Sequence, residues 1–248
     1  MIELYFVKIQ ELLKEIQISQ KKEMTEAAGW LAEAIQNEGI IHLFGCGHSH
    51  IFGEEVFFRA GGLAAVSPIF HEPLMLHEGA ARASQIERKN DYASKFLSEV
   101  DFQPQDVLFV ISTSGRNPVP VDVALYAKEK GTKIVVITSR TYANSQESRH
   151  TSGQHLHDVG DLVIDNLAPI GDAILSLDEI AVPFGPVSTV VGVTILQAIF
   201  SEAIKKMVAN DFDPPIFLSG NIEGSDEHNQ RLLDKYGKRI PLLVAGLE

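Results

Sequence analysis

The sequence of 248 residues contains one cysteine, Cys46, and therefore cannot form an internal disulfide. This is typical of proteins in a reducing compartment. No apolar run reaches the roughly 18 residues that a membrane-spanning helix requires. The closest, VVGVTILQAIF at 190–200, is shorter. The N-terminal segment carries charges throughout and lacks the cleavage site of a signal peptide. These absences predict a cytoplasmic protein that does not insert into membranes.

The chain also has few basic residues. It contains 21 lysines and arginines against 33 aspartates and glutamates, for a net charge of −12. Such a balance argues against non-specific binding to nucleic acids and to anionic membrane surfaces. It does not exclude a small anionic ligand, because a local site can override the field of the whole protein.

Short, continuous apolar runs alternate with amphipathic segments along the chain. This pattern is typical of a parallel sheet that is covered by helices on both faces. We predict an α/β fold, a three-layer αβα sandwich around a five-stranded parallel sheet of flavodoxin-like type. The expected strands are 40–44, 63–69, 106–112, 133–139 and 161–166. We expect one domain over 1–248, comprising a long N-terminal helix at 2–37, a core at about 36–208 and a C-terminal extension at 209–248.

The first candidate loop is GCGHSH at 45–50, which follows the first strand and opens a helix. Its glycines permit a tight turn, and free N–H groups at a helix start favour an anion. We therefore predict that Gly47, His48 and Ser49 bind an anion, although Ser49 could equally be a helix N-cap. A dinucleotide fingerprint is disfavoured because His50 occupies the place of its third glycine, although Glu72 could serve as the ribose-binding acid.

The second candidate loop is STSGRNP at 112–118, after the third strand. Asn117 suits an N-cap and Pro118 suits the first helical position, so neither requires a ligand. The three hydroxyl residues and Gly115 have no such structural explanation. We predict that they bind a phosphate, whose oxygens would accept hydrogen bonds from Ser112, Thr113 and Ser114.

The third candidate loop is GPVSTVVG at 185–192, where Ser188 precedes a long apolar helix. Its alternative role is again an N-cap. A helix that is apolar on nearly all sides needs cover, so we expect it to form a homodimer or homotetramer interface.

Together, GCGHS, ISTSGRN and VST before a long helix resemble the sugar isomerase (SIS) domain. The resemblance covers about residues 36–208, and the S-x-S-G-x-[T/N] motif is its most specific part. SRHTSG, DNLAPIGDA and DEHN further resemble a bacterial SIS group that is often labelled phosphoheptose isomerase-like. The resemblance implies a phosphorylated sugar as ligand. Its phosphate would be bound by Ser49, Ser112, Thr113, Ser114 and Asn117, and the site would be closed by Ser188.

Catalysis by such a protein requires a base and an acid. In phosphoheptose isomerases the base is a Glu about ten residues after the serine of the first loop, but here that position is Arg59. Glu55 lies one turn earlier and is our candidate, with an i,i+4 ion pair to Arg59 as its alternative role. Those enzymes also have a His on the long helix, where this chain offers only Gln197. The remaining catalytic candidates are His77 and, from a partner chain, His228.

No tight ligand spacing indicates a metal, so we predict neither a metal nor a cofactor. His71, His77, His155 and His157 are conceivable ligands, and HLH at 155–157 would present two imidazoles on one face if it were a strand. The leading hypothesis is a phosphosugar-binding protein that interconverts an aldose and a ketose phosphate by proton transfer. Two alternatives are a non-catalytic phosphosugar sensor, and a sugar-phosphate lyase or etherase.

Overall fold

The protein is described by a computed structural model that covers residues 1–246. Five parallel strands form the main sheet in the order β2-β1-β3-β4-β5, which confirms the predicted fold class. The strands are β1 Ile41–Gly45, β2 Val66–Pro68, β3 Val107–Ile111, β4 Lys133–Thr138 and β5 Leu162–Asp165. All residues of β1 and β3 are buried, as expected for central strands covered on both faces.

Ten α-helices precede, connect and follow the strands within residues 1–246. They are α1 Ile2–Ser19, α2 Lys21–Gln36, α3 Ile51–Val56, α4 Ala80–Glu87, α5 Ser94–Leu97, α6 Pro118–Glu129, α7 Arg140–Asn144, α8 Leu156–Val159, α9 Ser188–Ala209 and α10 Ser225–Tyr236. Short 3-10 helices lie at Gly47–His50, Glu72–Leu74, Leu76–Glu78 and Pro241–Leu243. An antiparallel hairpin, β6 Ala173–Leu177 and β7 Ile180–Pro186, stands apart from the main sheet.

The N-terminal segment differs from the prediction because it is two helices rather than one. The break falls at Gln20, whose backbone lies outside the helical region. The side-chain oxygen of Gln20 accepts a hydrogen bond of 2.9 Å from the backbone N–H of Asp165 on β5. The break thus places a side chain against an edge strand that has no neighbour on that side.

The sheet separates two hydrophobic clusters. Ile41, Leu43, Phe109 and Ile137 belong to the cluster shared with α1, α2, α3 and α9, while Leu108 faces the cluster shared with α4, α5 and α6. Consecutive residues of a strand point to opposite faces, so the continuous apolar runs supply both clusters. Burial of these side chains is the main stabilising term for the fold.

Helix α9 packs chiefly against α2 and also contacts α3. Among the described residues, one helix, α9, is long and apolar enough to cross a membrane by length and composition alone. Its buried residues, including Ile195 and Phe200, belong to the core cluster, as in the central helix of a folded domain. Val190 and Val208 remain exposed on it, and the homodimer stays a prediction.

A buried polar cluster lies at the amino edge of the sheet, the edge at which the parallel strands begin. Asp106 directly precedes β3 and is fully buried. Its carboxylate accepts hydrogen bonds from Arg239 at 2.8 and 3.0 Å, from Ile40 N–H at 2.8 Å and from His42 at 3.2 Å. Burial alone would raise the pKa of Asp106, but these hydrogen bonds lower it to about 2. The cluster ties the C-terminal extension to the sheet.

Candidate functional site

The loop after β3, residues 112–117, is named the hydroxyl loop below. Its start is anchored to the neighbouring strand, because Ser112 N–H donates to Ile137 O and Ser139 N–H donates to Thr113 O. Gly115 has a φ of +58°, and a Cβ there would lie 2.8 Å from Thr138 Oγ1. Only glycine fits this close approach without strain. The glycine in the motif therefore serves the packing of the loop against β4.

The side-chain hydroxyl groups of this loop make few hydrogen bonds within residues 1–246. Ser112 Oγ accepts a hydrogen bond of 3.3 Å from Gly115 N–H, which leaves its own proton free within the described chain. The side chain of Ser114 makes no hydrogen bond to another residue of 1–246. Thr113 Oγ1 accepts a bond of 3.4 Å from Asn166, a residue after β5 that the sequence did not indicate. The hydroxyl protons of Ser112, Thr113 and Ser114, three in all within residues 1–246, are thus available for a ligand.

The loop after β1 begins beside the hydroxyl loop. Gly45 is paired in register with Ile111, so both loops start at the same level of adjacent strands. Gly47 has a φ of +56°, and the segment Gly47–His50 is a 3-10 helix rather than the start of a regular one. Ser49 caps neither this turn nor α3, so the N-cap alternative for Ser49 is not found. The two loops therefore start side by side at the carboxyl edge of the sheet, and the binding of an anion by Gly47, His48 and Ser49 stays a prediction.

Asn117 precedes α6 at the expected N-cap position, with Pro118 as the first helical residue, but its side chain does not cap the helix. Its Oδ1 accepts a hydrogen bond of 2.8 Å from Arg149 Nη1. Asn117 therefore holds a charged side chain beside the start of α6, and its direct contact with a phosphate stays a prediction.

Ser188 is the first residue of α9 and not its N-cap. Asp172 occupies the capping role instead, since its carboxylate accepts bonds from the backbone N–H of Ser188 at 2.8 Å and of Val187 at 3.2 Å. Ser188 Oγ donates to the same carboxylate at 2.6 Å. Asp172 comes from the turn before β6, and only a three-dimensional contact identifies it.

The start of α9 lies at the same end of the molecule as the loop after β1. A Cβ on Gly192 would contact the Phe52 ring, and Gln197 donates to Glu55 at 3.4 Å, so α3 and α9 run in the same direction. Ser188, one turn before Gly192, consequently lies towards Ser49. The structure brings Ser188 to the carboxyl edge of the sheet, although its hydroxyl is bonded to Asp172.

Of the three predicted catalytic residues, Glu55 lies on α3 and forms the i,i+4 ion pair that was its alternative role. Its Oε1 lies 2.5 Å from Arg59 Nη1. It also accepts the bond from Gln197, which is the nearest polar candidate on the long helix for the histidine that this helix lacks. Glu55 thus connects α3 to α9 and is not a free carboxylate.

The other two predicted catalytic residues lie at opposite ends of the molecule. The ring of His77 lies 6.4 Å from that of His50 and is exposed, so His77 stands beside the loop after β1. His228 Nε2 donates to Ile216 O at 2.8 Å, and Ile216 pairs with Leu63, which precedes β2. His228 is therefore at the amino edge, and a role for it in the site requires a second chain.

The potential metal ligands do not converge. In the part of the chain that the structure describes, no three His, Cys, Asp or Glu side chains form a group that could hold a metal ion. HLH at 155–157 is not a strand: His155 precedes the short helix α8, and its ring stacks on that of His157 at 5.4 Å. Burial lowers the pKa of His157, and likewise of His71, which packs on Phe96.

Glu87, the half-buried last residue of α4, is a titratable group that sequence reasoning did not single out. Burial raises the pKa of Glu87, against the opposing effects of Asn117, Arg88 and Arg149. Burial also raises the pKa of the Cys46 thiol, and the charge of Glu87 raises it further. Helix α4 contacts both the Gly47–His50 turn after β1 and α6. Nothing in the sequence ASQIERK distinguishes Glu87 from a surface glutamate.

Comparisons with known proteins agree with this geometry. The SIS domain family model matches residues 4–139. The chain is 59% identical to a UPF0309 protein of Halalkalibacterium halodurans over 98% of both chains. It is 60% identical to a UPF0309 protein of Listeria innocua over 95% of this chain and 96% of that one.

Two solved structures show the same fold at low sequence identity. One is phosphoheptose isomerase from Neisseria gonorrhoeae, at 15% identity and a TM-score of 0.50, covering 82% of this chain and 94% of the other. The second, from Bacteroides fragilis, is named as a candidate phosphosugar isomerase involved in capsule formation. It is 16% identical to this chain with a TM-score of 0.52, and the match covers 86% of this chain and 91% of the other. On the family match and the relatives near 60% identity, the chain belongs to the SIS domain family, together with the UPF0309 proteins.

Proposed function

We propose that this protein binds a phosphorylated sugar at the carboxyl edge of the sheet and interconverts its aldose and ketose forms. The observation that carries the proposal is the hydroxyl loop, where unoccupied hydroxyl protons of Ser112 and Ser114 lie at the end of a buried strand. Ligands of open parallel sheets bind beyond the carboxyl ends of the strands. A phosphate, rich in acceptor oxygens, suits such an array of donors.

The helix start directly after the loop adds to the attraction for an anion. That helix is α6, whereas the start of α9 is already occupied by the Asp172 carboxylate. The N-terminus of a helix carries about half a positive charge, which favours a phosphate even on a protein of net charge −12. The two structural neighbours are named as a phosphoheptose isomerase and a phosphosugar isomerase. Both names are consistent with a phosphorylated sugar as ligand.

The proposed chemistry is proton transfer without a cofactor. A base removes the proton beside the carbonyl carbon, and an acid moves a proton between the two oxygens. Glu55 is the proposed base, which requires that a bound sugar displace Arg59 from its carboxylate. His77 is proposed to contact the sugar beside the loop after β1. His228 is proposed to act only from a partner chain.

The phosphate assignment is tested by Ser112→Ala and Ser114→Ala. Each change removes a hydrogen bond to a charged ligand, so we expect about 10-fold or greater weakening of binding for sugar phosphates. Titration calorimetry with arabinose 5-phosphate and glucose 6-phosphate measures it, with free arabinose and glucose for comparison. Ser201→Ala, at an exposed position of α9, is the matched control. Unchanged binding in both loop variants would contradict the phosphate assignment.

A sensor without catalysis is the second candidate function, and the ion pair of Glu55 with Arg59 favours it. An isomerase and a sensor are distinguished by incubating the protein with aldose and ketose phosphates of five to seven carbons in deuterated water. We expect exchange of the proton at C2 and conversion between aldose and ketose, followed by NMR. Binding without exchange across the panel would establish the sensor, and loss of a substituent would establish a lyase or etherase.

A further inference from the structure

The segment 145–155, which connects α7 to α8, is hydrogen-bonded to the hydroxyl loop and carries an arginine, Arg149, beside the start of α6. We propose that Arg149 binds the phosphate of the sugar as the charged partner of the neutral hydroxyl donors, and that Asn117 positions it. This inference rests on the proposed function. It adds the residue that makes the site selective for a dianionic phosphate ester over a monoanionic sulfate ester.

The backbone of Arg149 is held from several sides. Its N–H donates to Arg116 O at 2.8 Å, and its carbonyl oxygen accepts from Asn90 Nδ2 at 3.3 Å. The side chain of the next residue, His150, is only 8% exposed, and its Nε2 lies 2.9 Å from Asp122 Oδ1 on α6. The segment is thus fixed to the hydroxyl loop, to the turn after α4 and to α6. Because its backbone is already ordered, Arg149 loses little further freedom when it binds a ligand.

The side chain of Arg149 is oriented by the hydroxyl loop itself. Asn117 Oδ1 accepts the bond of 2.8 Å from Arg149 Nη1, and Asn117 is only 8% exposed, so this acceptor has a fixed place. It is the one hydrogen bond that the Arg149 guanidinium makes within residues 1–246. The remaining N–H groups of the guanidinium are available to a ligand, and their planar arrangement matches two oxygens of a phosphate.

The positive charge beside the hydroxyl loop is not balanced by ion pairs. The arginines that form salt bridges in the described chain lie elsewhere, and neither Arg116 nor Arg149 has a carboxylate partner there. Arg116 belongs to the hydroxyl loop, and its guanidinium donates to two uncharged acceptors, Glu147 O at 3.0 Å and Gln146 Oε1 at 3.3 Å. Two guanidinium groups without a counter-charge, on a chain of net charge −12, indicate that an anion binds between them and the loop.

The charges around Arg149 indicate which anion is preferred. Burial lowers the pKa of the Arg149 guanidinium, and the charges of Arg116 and Arg88 lower it further, against the opposing effects of Glu87 and Tyr142. A phosphate ester brings up to about two negative charges at neutral pH and reduces the repulsion among the arginines. A sulfate ester of the same shape brings a single charge and reduces it less. The arginines thus add a selection for phosphate that neutral hydroxyl donors do not provide.

The test is Arg149→Gln in the full chain, with arabinose 5-phosphate, glucose 6-phosphate and glucose 6-sulfate as probes in titration calorimetry at pH 8. Because a charge-assisted hydrogen bond is lost, we expect the Kd of both phosphates to rise by about 10-fold or more. The Kd of the sulfate should rise by less, so that the preference for phosphate falls. Arg149→Lys, which keeps the charge without the planar fork, should lose part of the affinity. Arg231→Gln, at an exposed position of α10, removes the same charge and is the matched control.

A double-mutant cycle tests the positioning role of Asn117. Asn117→Ala should weaken phosphate binding in the native background but not in Arg149→Gln, because Asn117 acts through Arg149. Additive losses would overturn that role. A native-like affinity and preference for phosphate in Arg149→Gln, with circular dichroism showing it folded, would overturn the inference alone, since the losses in Ser112→Ala and Ser114→Ala would still support the phosphate site. Failure of the native protein to bind any sugar phosphate would overturn the proposed function as well.

Discussion

Two carboxylates, Asp106 and Glu87, have pKa values that are shifted in opposite directions. At the amino edge of the sheet, Asp106 accepts hydrogen bonds from two side chains and two backbone N–H groups, which lower its pKa to about 2. At the end of α4, the pKa of the half-buried Glu87 is raised by burial, which outweighs the effects of Asn117, Arg88 and Arg149. The direction of each shift depends on whether donors and positive charges compensate for desolvation.

The difference separates a group that stabilises the fold from one that does not. Asp106 connects β1, β3 and the C-terminal extension through His42, Ile40 and Arg239, so it stabilises the fold. Burial disfavours the ionised form of Glu87, so that form opposes folding.

The largest expected stability effect comes from breaking the amino-edge cluster with Asp106→Asn. The change leaves the Arg239 guanidinium without its buried counter-charge, so we expect a loss of about 3 kcal/mol or more in the free energy of unfolding. Urea denaturation followed by circular dichroism measures it. Asp101→Asn is the control, because Asp101 also bonds Arg239 but is 62% exposed, and its loss should stay below about 1 kcal/mol. Equal losses in the two variants would refute the anchor role.

A smaller loss of stability is expected when the pH is lowered. The folded-state pKa of Asp106 lies below its usual 3.8, so its contribution is complete above pH 4 and lost as the pH falls towards 2. The shift corresponds to about 2 kcal/mol. Thermal unfolding of the native protein and of Asp106→Asn should therefore converge as the pH falls from 5 to 2. Parallel curves over that range would show that another group dominates acid unfolding.

The smallest change in stability is expected for Glu87→Gln, and it has the opposite sign, because the variant should be stabilised. Since the pKa of Glu87 is raised in the folded state, the native protein loses stability as the pH rises from about 4.5 through that pKa. The glutamine variant lacks this loss and should be slightly more stable than the native protein at pH 8, but not at pH 4. Thermal melts at both pH values test this. A variant that is less stable at pH 8 would assign Glu87 a structural role.

The sequence predicts the fold and the loops well because both depend on local patterns. Continuous apolar runs identify the strands, and the hydroxyls and glycine of 112–115 mark the end of β3. Three outcomes lay beyond local reasoning, since each depends on a contact distant in sequence. Asn117 bonds Arg149, 32 residues away, instead of capping α6. Ser188 receives its cap from Asp172, 16 residues earlier. Thr113 accepts a hydrogen bond from Asn166, 53 residues later.

The break between α1 and α2 has a consequence for assembly. Through it, Gln20 occupies a backbone N–H of β5 that would otherwise be open to another strand. The opposite edge strand, β2, is three residues long and ends in Pro68, which has no N–H to donate. Short edges, proline and occupied donors protect a sheet against strand-to-strand aggregation. The predicted association of copies of this chain would therefore use helix surfaces, such as the exposed apolar side chains of α1 and α9, and not an extension of the sheet.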